Sequence, residues 1–126
     1  MKGKNRGKME KIVGKHIWAN LYGINEKYLN SKTRLKALIK KAVKESGATL
    51  HEIKAWKFGG EKGGVSVIAL VLESHFAIHT WKEYNYATLD IYTCGSKANP
   101  EKAFKLIISV LNPKKIVKGK LERSMV

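Results

Sequence analysis

From Ser31 onward, apolar residues recur at spacings of three and four, so that Leu35, Leu38, Ile39, Ala42 and Val43 share one face of a predicted helix. Gly47, tolerant of a left-handed backbone, stops it. A second helix is predicted where Asn99 offers an N-cap, Pro100 fills the first helical position, and Ala103, Phe104, Ile107, Val110 and Leu111 form a stripe. Asn112-Pro113 ends it. Elsewhere the runs are shorter and read as strands: Ile12 to Leu21, His51 to Phe58, Val65 to Leu72, His75 to Trp81 and Tyr86 to Thr93. Val65 to Leu72 is apolar on both faces except at Ser66, which predicts a strand at the sheet centre, covered on both sides. Ile116 and Val117 start a last edge strand. Close spacing of the strands implies an antiparallel meander, and the whole resolves into an α+β two-layer sandwich, an antiparallel sheet with two helices packed on one face.

With 126 residues, of which 44% are hydrophobic, the chain fits one globular domain, and no apolar run approaches the ~20 residues of a bilayer span. Residues 1–11, polar and Lys-rich, predict a flexible basic tail, residues 12–121 the domain, and 122–126 a second tail. No secretory pattern stands at the start, so a cytoplasmic protein is expected. One cysteine, Cys94, excludes an internal disulfide and fits a reducing compartment.

A net charge of +15 raises the possibility of a basic nucleic-acid-binding domain, with Trp56 and Phe58 as stacking platforms. The charge is unevenly spread: residues 1–15 carry +5, 31–46 carry +5 and 113–126 carry +4, while 47–112 carry only +1. Excess lysine on tails and one helix face reads better as a solvated surface, so nucleic acid is not the expected partner. Gly59-Gly60-Glu61-Lys62-Gly63-Gly64 matches no phosphate-binding loop and precedes no helix, so it reads as a flexible hairpin connection able to double as a lid. His75, His79 and Cys94 give at most three metal ligands, fewer than a structural zinc site uses, and no metal is expected. Cys94 with a histidine is a conceivable nucleophile pair, but spacing alone does not bring them together.

The informative segment runs from Leu72 to Trp81, LESHFAIHTW. A carboxylate, a hydroxyl and two imidazoles interrupt the most apolar stretch of the chain. Burying such groups unpaired costs about a few kcal/mol each, so they point to chemistry rather than packing.

Across Val13 to Leu111, the motifs VGKH, AWKFGG, GVS, ESH, HTW and TCG occur in an order that closely resembles the short prokaryotic class of S-adenosylmethionine decarboxylase, a pyruvoyl-dependent family. The resemblance implies self-cleavage at Glu73-Ser74 into a β chain 1–73 and an α chain 74–126. Ser74 would attack the Glu73 carbonyl, and elimination from the resulting ester would leave a pyruvoyl group at position 74, the covalent cofactor. The family's processing residues match Ser66, which would hydrogen-bond the strained intermediate, and His79, which would remove the α-proton. The even spacing of Ser66 and Ser74 fits one sheet face.

In catalysis the resemblance implies a Schiff base between the pyruvoyl group and the substrate amine, with Cys94 as proton donor to the carbanion. Thiols, with an ordinary pKa of about 8.5, are protonated near neutrality yet able to give up the proton. Glu83 matches the substrate-binding carboxylate; Phe58, or alternatively Trp56, matches the stacking aromatic. Lys82 stands where many relatives have proline, and GGEKGG is longer than the usual bacterial loop and looks archaeal. The implied activity is S-adenosylmethionine decarboxylation for spermidine synthesis; the alternative is arginine decarboxylation to agmatine on the same machinery. A homodimer of processed protomers is expected, with sites near the interface.

Overall fold

The structure, a computed structural model, describes residues 12–61 and 63–125. The expected tail at residues 1–11 lies outside the described residues, as do Lys62 of the glycine-rich connection and Val126. In chain order the elements are β1 (Val13–Tyr22), α1 (Glu26–Leu29), α2 (Lys32–Ser46), β2 (Leu50–Phe58), β3 (Gly64–Val71), β4 (Ser74–Trp81), β5 (Tyr86–Cys94), α3 (Pro100–Leu111) and β6 (Lys115–Ser124). The six strands form one antiparallel sheet in the order β2-β3-β4-β5-β1-β6.

Both long helices begin and end at the residues the sequence nominates. The Ser31 hydroxyl accepts from Arg34 N–H at 3.2 Å, and Gly47 closes α2 with φ +86°. Asn99 accepts from Lys102 N–H at 3.3 Å, Pro100 opens α3, and Asn112 closes it with φ +46°. α1 is a helix the hydrophobic pattern does not reveal, because its 4 residues are too few to show a period.

The core lies between the helices and one sheet face. Leu35, Ile39, Ile107 and Leu111 from the helices meet Leu21, Val67, Phe76, Ile78, Leu89 and Ile91 from the strands, all buried. Each such side chain contributes about 1.5–3 kcal/mol through burial. Alternation along β1, β3, β4 and β5 leaves the other face without a covering layer.

The structure departs from the sequence pattern in three places. Val65 to Leu72 is not the sheet centre: β3 is second from one edge, with β4 and β5 in the middle. Nor is it covered on both sides, since Ile68 is 40% and Leu70 49% exposed. The expected tail at 122–126 is not all tail, because the last strand runs through Ser124 and pairs with all of β1 from Val13 to Tyr22. Lysine-rich alternation hid this strand, whose outer edge needs no apolar residue.

Candidate active site

The hairpin between β3 and β4 turns in two residues, Leu72 and Glu73, with Val71 paired to Ser74. Two-residue hairpins ordinarily take positive φ within the turn, using Gly or Asn. Leu72 and Glu73 are not among the described residues with positive φ; Ser74 is, at φ +151°. That conformation is nearly exclusive to glycine and costs about 1–3 kcal/mol. The strain therefore sits on Ser74, the residue immediately after the Glu73 carbonyl.

The carbonyl of Glu73 accepts two hydrogen bonds from one residue. Cys94 donates its backbone N–H at 3.0 Å and its thiol at 3.2 Å. Paired donors on a carbonyl oxygen polarise the carbon and stabilise negative charge that develops on the oxygen under attack. The Ser74 hydroxyl lies 4.0 Å from Cys94 Sγ. Its attack on the Glu73 carbon closes a five-membered ring, a geometry that any residue bearing a β-hydroxyl can reach. Glu73 is held at its other end as well, where Oε1 accepts from Thr49 N–H at 3.2 Å.

Ser66 and His79 are directly paired across β3 and β4, and Ser66 Oγ stands 2.7 Å from His79 Nδ1. A hydrogen bond donated from Nδ1 to the hydroxyl leaves Nε2 bare, the state a general base needs. Trp56 is the next residue across the sheet from Ser66, and Phe58 follows at the strand end; both are exposed, at 42% and 53%. Glu83 occupies the exposed turn between β4 and β5. Asn85 fixes that turn by accepting from Ile24 N–H at 2.9 Å through its side chain and from Gly23 N–H at 2.9 Å through its carbonyl.

The nominated residues thus fall into two groups. Glu73, Ser74 and Cys94 meet at one end of the sheet; Ser66, His79, Trp56, Phe58 and Glu83 gather toward the other. His79 is five residues from Ser74 along β4, about 17 Å at the rise of a strand. The even spacing of Ser66 and Ser74 is interrupted by the turn between them. The two-residue turn pairs Ser74 with Val71, which breaks the even spacing, and with its positive φ the Ser74 hydroxyl lies beside Cys94, which shares the parity of Asp90 and Tyr92.

Two features near the site escape sequence reading. Thr49 acts through its backbone N–H, which leaves no mark in residue type. His16 and Asp90, 74 residues apart, form a 2.7 Å pair on the uncovered face. Alternation in β5 puts Asp90 on the face of Thr88 and Tyr92, but nothing in the sequence names its partner.

The family model described as S-adenosylmethionine decarboxylase matches residues 15–124. An arginine decarboxylase proenzyme of Aeropyrum pernix is 50% identical over 113 residues, covering 90% of this chain and 86% of that protein. One from Caldivirga maquilingensis is 51% identical over 116 residues, covering 91% and 87%. Among solved structures, the adenosylmethionine decarboxylase of Aquifex aeolicus superposes with a TM-score of 0.82 at 36% identity, covering 93% of this chain and 95% of that one. A strained Glu-Ser hairpin, in a sheet that superposes on a decarboxylase and a sequence matched along nearly all its length, has one reading: the chain belongs to the S-adenosylmethionine decarboxylase family.

Proposed function

We propose that the chain cuts itself between Glu73 and Ser74 and then works as a pyruvoyl-dependent decarboxylase of arginine, forming agmatine. The observation that carries the cleavage is the Glu73 carbonyl, gripped by two donors from Cys94 and followed by a serine at φ +151°. The substrate follows the two relatives named for arginine, whose 50% and 51% identity exceeds the 36% of the structure named for adenosylmethionine. This reverses the order that family frequency gives.

The residues fit the chemistry required. A pyruvoyl group at position 74 supplies an electron sink for the carbanion left when carbon dioxide departs. Cys94, whose sulfur lies 4.0 Å from Ser74 Oγ, is the proposed donor of a proton to that carbon. Glu83 offers a carboxylate for a guanidinium. A cytoplasmic setting suits Cys94, which must stay a free thiol.

Ser66 and His79 cannot reach Ser74 within one chain, and we infer a homodimer that supplies them. The uncovered face exposes Trp56, Ile68 and Leu70, an apolar patch of the kind that marks an interface. Two copies stacked face to face about a two-fold axis, with strand ends reversed, put one chain's Ser66–His79 end over the other's Ser74 end. S-adenosylmethionine is the second reading, favoured by exposed Trp56 and Phe58, which offer flat surfaces to a purine.

Intact mass under denaturing conditions tests the cleavage: fragments 1–73 and 74–126 are expected, the smaller carrying a carbonyl in place of an amino terminus. Carbon dioxide release from labelled arginine and labelled S-adenosylmethionine then decides the substrate. Turnover of S-adenosylmethionine alone selects the second reading. A chain that stays whole and binds RNA at physiological salt overturns both.

A further inference from the structure

Glu73 loses its peptide bond in the proposed cleavage, and Thr49, which holds its side chain, also holds a lysine and lines a lysine-bearing groove. Thr49 N–H holds Glu73 Oε1 at 3.2 Å, and Leu72 N–H donates to the Thr49 carbonyl at 2.9 Å, so the segment after α2 is tied to the hairpin twice. Thr49 Oγ1 in turn accepts from Lys97 Nζ at 3.3 Å. Thr49 and Lys97 both line a groove of about 460 Å³, with Lys40 and Lys44 on its α2 wall and no carboxylate among its lining residues. Lys44, in the last turn of α2, is accounted for by the helix dipole. Lys97 is not: it comes from the loop after β5, 3 residues beyond Cys94, and crosses to Thr49.

The chemistry of cleavage gives this charge a use. In the acyl shift, Ser74 Oγ bonds to the Glu73 carbon, the carbon–nitrogen bond breaks, and the hydroxyl proton ends on the Ser74 nitrogen, leaving an ester and an amine. A base then takes the Ser74 α-proton and the Cβ–O bond breaks, its electron pair departing with Glu73 as a carboxylate. The dehydroalanine left behind becomes an imine, and water hydrolyses it with release of ammonia. In the elimination Glu73 passes from one negative charge to two on a single residue. Like charges so close repel, and a nearby cation lowers the cost of reaching that state.

We propose that Lys97, backed by Lys40 and Lys44 and aimed by Thr49, is a positioning residue for the elimination, stabilising Glu73 as the leaving carboxylate. This rests on the self-cleavage reading above. Lys97 is exposed, so changing it leaves folding intact. The test follows freshly synthesised full-length chain with time, with and without hydroxylamine, which cleaves esters but not peptide bonds. Lys97→Gln, which keeps a donor to Thr49 and removes the charge, should release fragments about tenfold more slowly and accumulate a hydroxylamine-sensitive ester. Lys97→Arg should behave as the natural chain. Slowing without an ester, or natural-rate release by Lys97→Gln, overturns the role of Lys97. A natural chain that never splits at 73–74 instead overturns the cleavage reading itself.

Discussion

The two ends of the sheet where the nominated residues gather are built on opposite principles. At the Ser74 end, a two-residue turn without glycine pushes its strain onto one residue, at φ +151°, and the carbonyl before it is gripped by Cys94. At the Ser66–His79 end the backbone is locked. Buried Thr80 Oγ1 accepts from Val65 N–H at 2.9 Å and donates to the Leu29 carbonyl at 2.8 Å, while Gly64 packs its α-carbon against the Thr80 carbonyl. On the proposed function, the contrast sets strain beside the bond to be cut and rigidity in the frame proposed to aim a base and receive a substrate.

The largest expected effect is at the strained end. Ser74→Ala removes the nucleophile, so the chain should remain one piece and release no carbon dioxide. His79→Ala, at the rigid end, should stall processing with Ser74 intact. The two variants together sharpen the comparison, because the proposed homodimer would unite Ser74 of the His79→Ala chain with His79 of the Ser74→Ala chain. Co-expressed, they should form mixed dimers in which the His79→Ala chain is cleaved, as read by the mass of its fragments. Continued silence in the mixture would show that the two ends do not meet between chains.

How much of this is legible in the sequence depends on whether the signal is local. The caps at Ser31, Gly47, Asn99 and Asn112 are local, and both long helices begin and end where they say. The residues of both ends are legible through ESH, HTW and TCG, because their identities are the signal. Their separation follows from the five residues that carry β4 from Ser74 to His79, but the pairing of Val71 with Ser74 is set by a turn whose φ values no residue type announces. The misreading of β3 has a different origin. Ile68 and Leu70 look like core because they are apolar, and within one chain they are not covered. An apolar face left uncovered within one chain carries the pattern of a buried strand, as the proposed homodimer would require.

At the rigid end, Gly64→Ala tests the frame without touching a nominated residue. A Cβ there would land on the Thr80 carbonyl, and backbone cannot swing aside as a flexible side chain can. We expect a loss of about 3 kcal/mol or more, read as a lowered denaturant midpoint. Uncleaved chain should accumulate in proportion, because a shifted β4 misdirects His79. Unchanged stability would mean that this end yields as readily as the other, and the contrast would fail.

The smallest effect is expected away from both ends, where Glu101 in the first turn of α3 pairs with Lys120 of β6. The hydrogen bond from Lys120 lowers the Glu101 carboxyl below its ordinary range; partial burial opposes this, and Lys120, Lys105 and Lys118 add attraction. A carboxyl lowered by folding contributes stability above its unfolded pKa, and that contribution is lost as the pH falls through the folded value. Both partners are largely exposed, at 58% and 44%, so screening by water and salt keeps the pair weak. Glu101→Gln should therefore cost no more than about 0.5 kcal/mol at pH 7, and nothing once the carboxyl is protonated. Denaturant titrations at neutral and acid pH, in low and high salt, measure this, with chain cleavage followed in the same samples. Cleavage should not change, because the pair touches neither the Ser74 hairpin nor the Thr80 frame. Should Glu101→Gln slow cleavage while leaving stability intact, the anchoring of β6 to α3 would have to reach Cys94 through Gly14 of β1, which pairs with Cys94 on one side and Arg123 on the other. The strained end would then depend on a third region, and the division between two ends would need redrawing.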